Sequence, residues 1–263
     1  MSQTALGIDI GGTGIKAALV DLATGHLLGE KQHMLTPQPA TPQAIAAATC
    51  ELRDRFAALS PDVPIGVAIP AVVRRGTVRT CANIDPLWKG TDGDALFAEA
   101  LGRPVTLLND ADAAGLAEMQ FGAGHGQPGT VAVITLGTGI GSALFVEGRM
   151  MPRTELGHLE HGGIDCCNWA AAAAMNRESL SWDAWIDRVQ QFLSCFESLL
   201  WPDVVIIGGA ISADADRFLP RLHLDAEIVP AGLRGDAGVV GAALAAAAAI
   251  RGSAATAQRN AAG

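Results

Sequence analysis

The stretch Ala5-Leu-Gly-Ile-Asp9-Ile-Gly-Gly-Thr-Gly14-Ile-Lys-Ala-Ala-Leu-Val20 decides the fold class. Two apolar, β-rich runs flank a Gly-rich turn, and Ala23-Thr-Gly25 marks a second turn before Leu27-Leu28, which predicts an antiparallel meander. Thr41 then Pro42 predict the N-cap and first residue of a helix carrying Ile45, Leu52, Phe56 and Leu59, stopped by Ser60-Pro61. Short apolar strands follow at 64–69 and 105–108, the second running at once into Asn109-Asp110 and a helix through Met119. The outline then repeats, with a strand at 131–136, the turn Gly137-Thr-Gly-Ile-Gly141 and a strand at 142–146. Ser181 is placed to cap a long helix with Trp185, Val189, Phe192, Phe196 and Leu199 near one face, ending before Pro202. A buried strand at 204–207 closes on Gly208-Gly209, and Gly238 opens an Ala-rich helix reaching Ile250. Residues 252–263 read as an unstructured tail.

A chain of 263 residues, 49% hydrophobic, can bury two lobes of ordinary size. Its net charge of -9 disfavours nucleic acid as a partner, because binding phosphates needs clustered Lys and Arg. No apolar run approaches the roughly 18 residues of a membrane span, and residues 1–5 lack the basic and apolar parts of a signal peptide. Five cysteines, an odd number, do not make a disulfide framework, so a reducing, cytoplasmic setting is expected.

Gly11-Gly12-Thr13-Gly14 is a tight turn whose N–H groups and Thr13 hydroxyl can approach phosphate oxygens, where Cβ atoms would obstruct. Asp9, just before it, is placed to hold Mg²⁺ through water, and Lys16 either faces the same site or is solvated. The turn lacks the Gly-Lys-Ser/Thr ending of a P-loop. The second turn, with Thr138 and Gly139, lacks the spacing and following helix of a dinucleotide site. Two such turns facing one another can clamp a phosphate chain, which neither can do alone. Asp110 either caps the helix it starts or projects into a cleft. Seen alone, Glu155 reads as a surface acid and His158 as a core histidine.

Asp-x-Gly-Gly-Thr at 9–13, Asn-Asp at 109–110, Leu-Gly-Thr-Gly-Ile-Gly at 136–141, Glu155-Leu-Gly-His158 and Gly208-Gly209 together resemble the actin-like sugar kinases of the ROK family. Thr36-Pro-Gln-Pro-Ala-Thr-Pro, Ala82-Asn-Ile-Asp85, the segment 109–119 and Leu180-Ser-Trp182 are similar to its polyphosphate glucokinase branch, and the likeness runs over 6–247. The resemblance implies a two-lobed α/β fold, ribonuclease H-like, with related βββαβαβα sheets, an active site in the interlobe cleft and closure on sugar binding. It implies an N-terminal lobe of 1–108, joined by a returning helix at 242–251, and a C-terminal lobe of 109–241. The implied activity is phosphoryl transfer from polyphosphate or ATP to the 6-hydroxyl of glucose or a related hexose. Asp110 would be the general base, with Asn83, Asn109, Glu155 and His158 orienting the sugar. Asp9, Gly11, Gly12, Thr13, Lys16, Thr138 and Gly139 would lie with Mg²⁺ and the phosphates, and Gly208 and Gly209 beside the adenosine of ATP. A homodimer is also implied.

Two departures stand out. The Cys-x-Cys-Gly-x-x-Gly-Cys segment that gives many ROK proteins a zinc site is replaced by Cys166-Cys167 alone, so no zinc site is expected. Near 167 the resemblance also calls for an acid contacting the sugar's anomeric end, followed by basic residues; Cys166-Cys167-Asn168-Trp169 and five alanines stand there instead. Arg74, Arg75, Arg79, Lys89, Arg149 and Arg153 are left as candidates for a basic patch that meets a polyanionic donor. The open alternatives are an ATP-dependent kinase of a different sugar or polyol and a catalytically impaired sugar-binding homologue.

Overall fold

The computed structural model describes residues 3–56, 60–81 and 84–261. The chain divides into two compact units, Met1–Ala113 with Gly238–Gly263, and Ala114–Ala237.

The first unit opens with the predicted meander, β1 (Thr4–Ile10), β2 (Gly14–Asp21) and β3 (Leu27–Leu35). β1 and β2 pair antiparallel with Asp9 opposite Lys16, and β2 pairs with β3 with Lys16 opposite His33. Helix α1 (Pro42–Asp54) begins as the sequence predicts, the Thr41 side chain accepting the Ala44 N–H. It ends at Asp54, earlier than the apolar spacing suggests; Phe56 still packs on the core from beyond the helix, and Leu59 lies outside the described residues. β4 (Ile65–Ile69), the small hairpin β5 (Val73–Arg74) and β6 (Thr77–Val78), helix α2 (Gly93–Leu101) and β7 (Val105–Asn109) complete the chain to the start of α3 (Asp110–Phe121). The sheet order is β3-β2-β1-β4-β7, with β1, β4 and β7 parallel. One face of β1 and β2 buries Leu6, Ile8, Ile10, Ile15 and Ala17 with Ile45 and Leu52 of α1 and Phe97 of α2.

The second unit repeats the plan. β8 (Thr130–Leu136), β9 (Ile140–Val146) and β10 (Arg149–Met151) form the meander, and after the hairpin β11 (Glu160–His161) and β12 (Ile164–Asp165) come helices α4 (Cys166–Trp169), α5 (Ala172–Glu178) and α6 (Trp182–Leu200). β13 (Val204–Gly208), α7 (Ala215–Phe218) and β14 (Glu227–Pro230) follow, in the order β10-β9-β8-β13-β14 with β8, β13 and β14 parallel. Ser181 caps α6 as expected, and Trp185, Val189, Phe192 and Phe196 are buried. Leu199 is 61% exposed, contrary to the predicted face. At 100° per residue the stripe set by Trp185, Val189, Leu193 and Phe196 is centred near Leu200, which packs on the core in its place.

Helix α8 (Ala237–Ala261) corrects the reading of the C-terminus. It is neither limited to 242–251 nor followed by an unstructured tail at 252, because the run from Ala242 to Ala261 contains no proline and a single glycine, Gly252. This helix covers the second face of the first sheet. A Cβ on Gly7 or Gly66 would overlap the carbonyl of Val239 or Ala242, so both strand positions require glycine for the helix to approach.

Candidate active site

In the first unit, the turn between β1 and β2 is closed by Gly11 N–H donating to Gly14 O at 2.9 Å. Thr36, which opens the Thr36-Pro-Gln-Pro motif but has no role readable from sequence, pins it: its hydroxyl donates to Gly11 O at 2.6 Å and its N–H to Thr13 O at 3.3 Å. A cavity of about 290 Å³ opens beside Gly11 and Gly12, lined also by Thr36, Gln38, Pro70, Ile84 and Asp85. Asp9 lies against the first turn of α8, where a Cβ on Gly238 would come 2.7 Å from its carboxyl carbon. Burial raises the Asp9 carboxyl above the usual aspartate value, and the Lys16 and Lys31 ammoniums only partly offset this. A carboxylate so desolvated gains from a cation, so Asp9 fits the Mg²⁺ role.

At the end of β7, Asn109 and Asp110 share the helix start. Asn109 Oδ1 accepts from Ala111 N at 2.8 Å and Asp112 N at 3.0 Å, and its amide donates to Ala71 O at 3.3 Å. The cap of α3 is therefore supplied mainly by Asn109. Asp110 Oδ1 also accepts from Ala111 N at 2.8 Å, and the residue is half-buried where Asn109 is buried. What Asn109 has left for a ligand is one amide hydrogen. Asn83 lies outside the described residues.

In the second unit, Ile140 is the hub. Its carbonyl lies against Gly157, where a Cβ would overlap it, so Glu155-Leu-Gly-His158 is drawn onto β9 just past the Thr138-Gly139 turn. Ser142 ties the same segment down: its hydroxyl accepts from Leu156 N at 3.0 Å, and Thr154 Oγ1 donates to Ser142 O at 3.1 Å. Neither Ser142 nor Thr154 carries a sequence signal of this role. Gly209, with φ of 86°, packs against the Leu136 backbone, placing Gly208-Gly209 next to the second Gly/Thr turn.

His158 Nδ1 is 2.9 Å from Asp165 Oδ2, and its Nε2 is 3.9 Å from Glu155 Oε2. Cys167 is 2% exposed, and its sulfur takes the Ile140 N–H at 3.3 Å. Cys166 packs in the core around α6, where burial pushes its thiol pKa up. The basic candidates Arg74, Arg75, Arg79 and Lys89 all belong to the first unit, on or next to the β5–β6 hairpin, and Arg149 and Arg153 to the second.

Two sheets of one strand order, each with a Gly/Thr turn after its first strand, define a two-sheet α/β protein of the actin-like sugar kinase class. The ROK family model matches residues 5–169. The polyphosphate glucokinase of Mycobacterium tuberculosis (strain CDC 1551 / Oshkosh) is 47% identical over 234 residues, covering 89% of this chain and 87% of that protein. The crystal structure of the inorganic polyphosphate/ATP-glucomannokinase from Arthrobacter sp. strain KM matches with a TM-score of 0.90 and 49% identity over 94% of this chain and 99% of that one. A ROK family glucokinase from Streptomyces griseus, solved with glucose and AMPPNP, matches with a TM-score of 0.73 and 26% identity over 91% and 98%. The chain belongs to the ROK family. Within it, the chain is similar to the polyphosphate glucokinases over most of its length.

Proposed function

We propose that this protein transfers a phosphoryl group from polyphosphate or ATP to the 6-hydroxyl of glucose or a related hexose. The observation that carries the reading is the start of α3, where Asn109 takes over the capping N–H groups and sets Asp110 at the helix's first position. Asp110 accepts the proton of the attacking hydroxyl, raising the nucleophilicity of an otherwise unreactive alcohol. Glu155, His158 and the remaining amide hydrogen of Asn109 orient the sugar, with Asn83 as a further contact.

Gly11, Gly12, Thr13, Thr138 and Gly139 supply N–H and hydroxyl donors to the phosphates, with Lys16 as a charge partner and Gly208-Gly209 beside the rest of the donor. Mg²⁺, when bound, neutralises charge on the donor phosphates, and Asp9 would hold it through water. The enzyme acts in the cytoplasm as a homodimer; five free thiols agree with a reducing compartment.

A matrix of hexoses and polyols against polyphosphate, ATP and other nucleotides tests this. Glucose 6-phosphate formed from at least one of the two proposed donors is expected. Turnover only with a non-hexose polyol would favour the second reading, to which the thiol of Cys167 in place of an acid lends support. No transfer to any acceptor would remove the catalytic reading.

A further inference from the structure

His158 and Glu155 present two polar atoms, 3.9 Å apart, that make no hydrogen bond to one another at that distance. What they offer a ligand depends on which nitrogen of His158 carries the proton. The other nitrogen, Nδ1, is 2.9 Å from Asp165 Oδ2. An ionised carboxylate only accepts, so Nδ1 has to donate, and a neutral imidazole has a single N–H to give. Nε2 is then an acceptor beside a second acceptor, the Glu155 carboxylate.

We propose that Asp165 is a positioning residue of the sugar site: it holds His158 in the Nδ1–H form, so that Nε2 and Glu155 together receive two hydroxyl donors from the ligand. This rests on the assignment of Glu155 and His158 to the sugar. Asp165 is itself fixed before any ligand arrives. It ends the β11–β12 hairpin, paired with Glu160, and its second oxygen accepts the Cys167 N–H at 2.8 Å as the N-cap of α4. One carboxylate therefore joins the fold of the hairpin to the proton on the histidine, as partners behind a ligating imidazole do elsewhere. The ligand class that fits two adjacent acceptors is a polyol with neighbouring free hydroxyls. Replacing one hydroxyl by an acceptor-only group sets acceptor against acceptor and loses one of the two hydrogen bonds.

The near-isosteric variant Asp165→Asn separates this role from folding. Its amide oxygen keeps the cap on Cys167, since Asn is as good an N-cap as Asp, while its NH₂ replaces Oδ2 and only donates. His158 Nδ1 then has to accept, and the proton moves to Nε2. Nitrogen-15 NMR of the His158 ring should show Nδ1–H in the native protein and Nε2–H in the variant. The glucose Kd should rise about tenfold or more, with kcat at saturating glucose and the donor KM changed by no more than about threefold, because one acceptor has become a donor. Nε2–H in the native protein, or an unmoved proton in the variant, overturns the proposal. If the proton moves but neither Asp165→Asn nor His158→Ala alters the glucose Kd, the sugar-site assignment falls and the proposal with it.

Discussion

Gly157 lies against the carbonyl oxygen of Ile140 so closely that no side chain fits between them. The contact seats Glu155 and His158 on the first residue of β9, so under the proposed function it constrains the sugar site as well as the packing. Gly157→Ala has to push the segment off the strand. We expect the glucose KM to rise at least about tenfold, with the donor KM changed about twofold or less. Equal effects on both substrates would show that the segment serves the fold alone.

Asp110→Asn keeps the shape of the side chain and an oxygen able to accept the Ala111 N–H, but it cannot take a proton from an alcohol. Turnover should fall by about 10²–10⁴, and glucose binding should stay within about tenfold of native. Near-native kcat in this variant would contradict the base assignment.

Asp9 gives a prediction in pH. Burial raises its folded-state value above 3.8, so just above that pH the native protein holds a proton that the unfolded chain has released. The group therefore favours the native state most at low pH. Its contribution is lost as pH rises through the raised value. Asp9→Asn should raise Tm at pH 7 in the absence of Mg²⁺ by about 2–4 °C, the response of a chain this size to roughly 1 kcal/mol. The gain should shrink toward pH 4, and turnover should drop. A lower Tm at pH 7 would mean that Lys16 and Lys31 outweigh desolvation.

Much of this architecture is legible in the amino-acid order, and what is not has physical causes. The Gly11–Gly14 turn and the Thr41 and Ser181 caps are local chemistry, readable within a few residues. Asn109's capture of the α3 cap is local too, but Asn and Asp compete for it on equal terms, and only the buried contact to Ala71 decides between them. Asp165 gives no signal, because its contact with His158 exists only once Gly162 and Gly163, both at positive φ, turn β11 back on β12. Thr36 stands in a recognisable motif, but its contact is equally silent, the carbonyl it holds being 25 residues away. The helical reading of the C-terminus stops short because Gly252-Ser253 reads as a helix end, although the residues that follow keep helix propensity.

Cys167 supplies the fourth prediction. Its sulfur receives the Ile140 N–H, a weak bond that a carboxylate would replace with a stronger one while adding a buried charge. Cys167→Glu should lower the Tm of the ligand-free protein, and it should tighten glucose binding by about tenfold if the sugar's anomeric end reaches this position. Thermal scans with and without glucose check both parts. A lowered Tm that glucose does not restore would place residue 167 outside the sugar's reach.

The return of α8 to the first sheet sets an order of events during synthesis. Ala114–Ala237 is continuous, so that unit can fold as soon as its own residues have left the ribosome. The sheet that is made first cannot finish first. Gly7 and Gly66 leave one of its faces bare until the stretch from Gly238 onward arrives to cover it. A released chain ending just short of Gly238 would thus carry a complete second unit and a first unit still open on one side, and with it an Asp9 that lacks the helix start against which it is held.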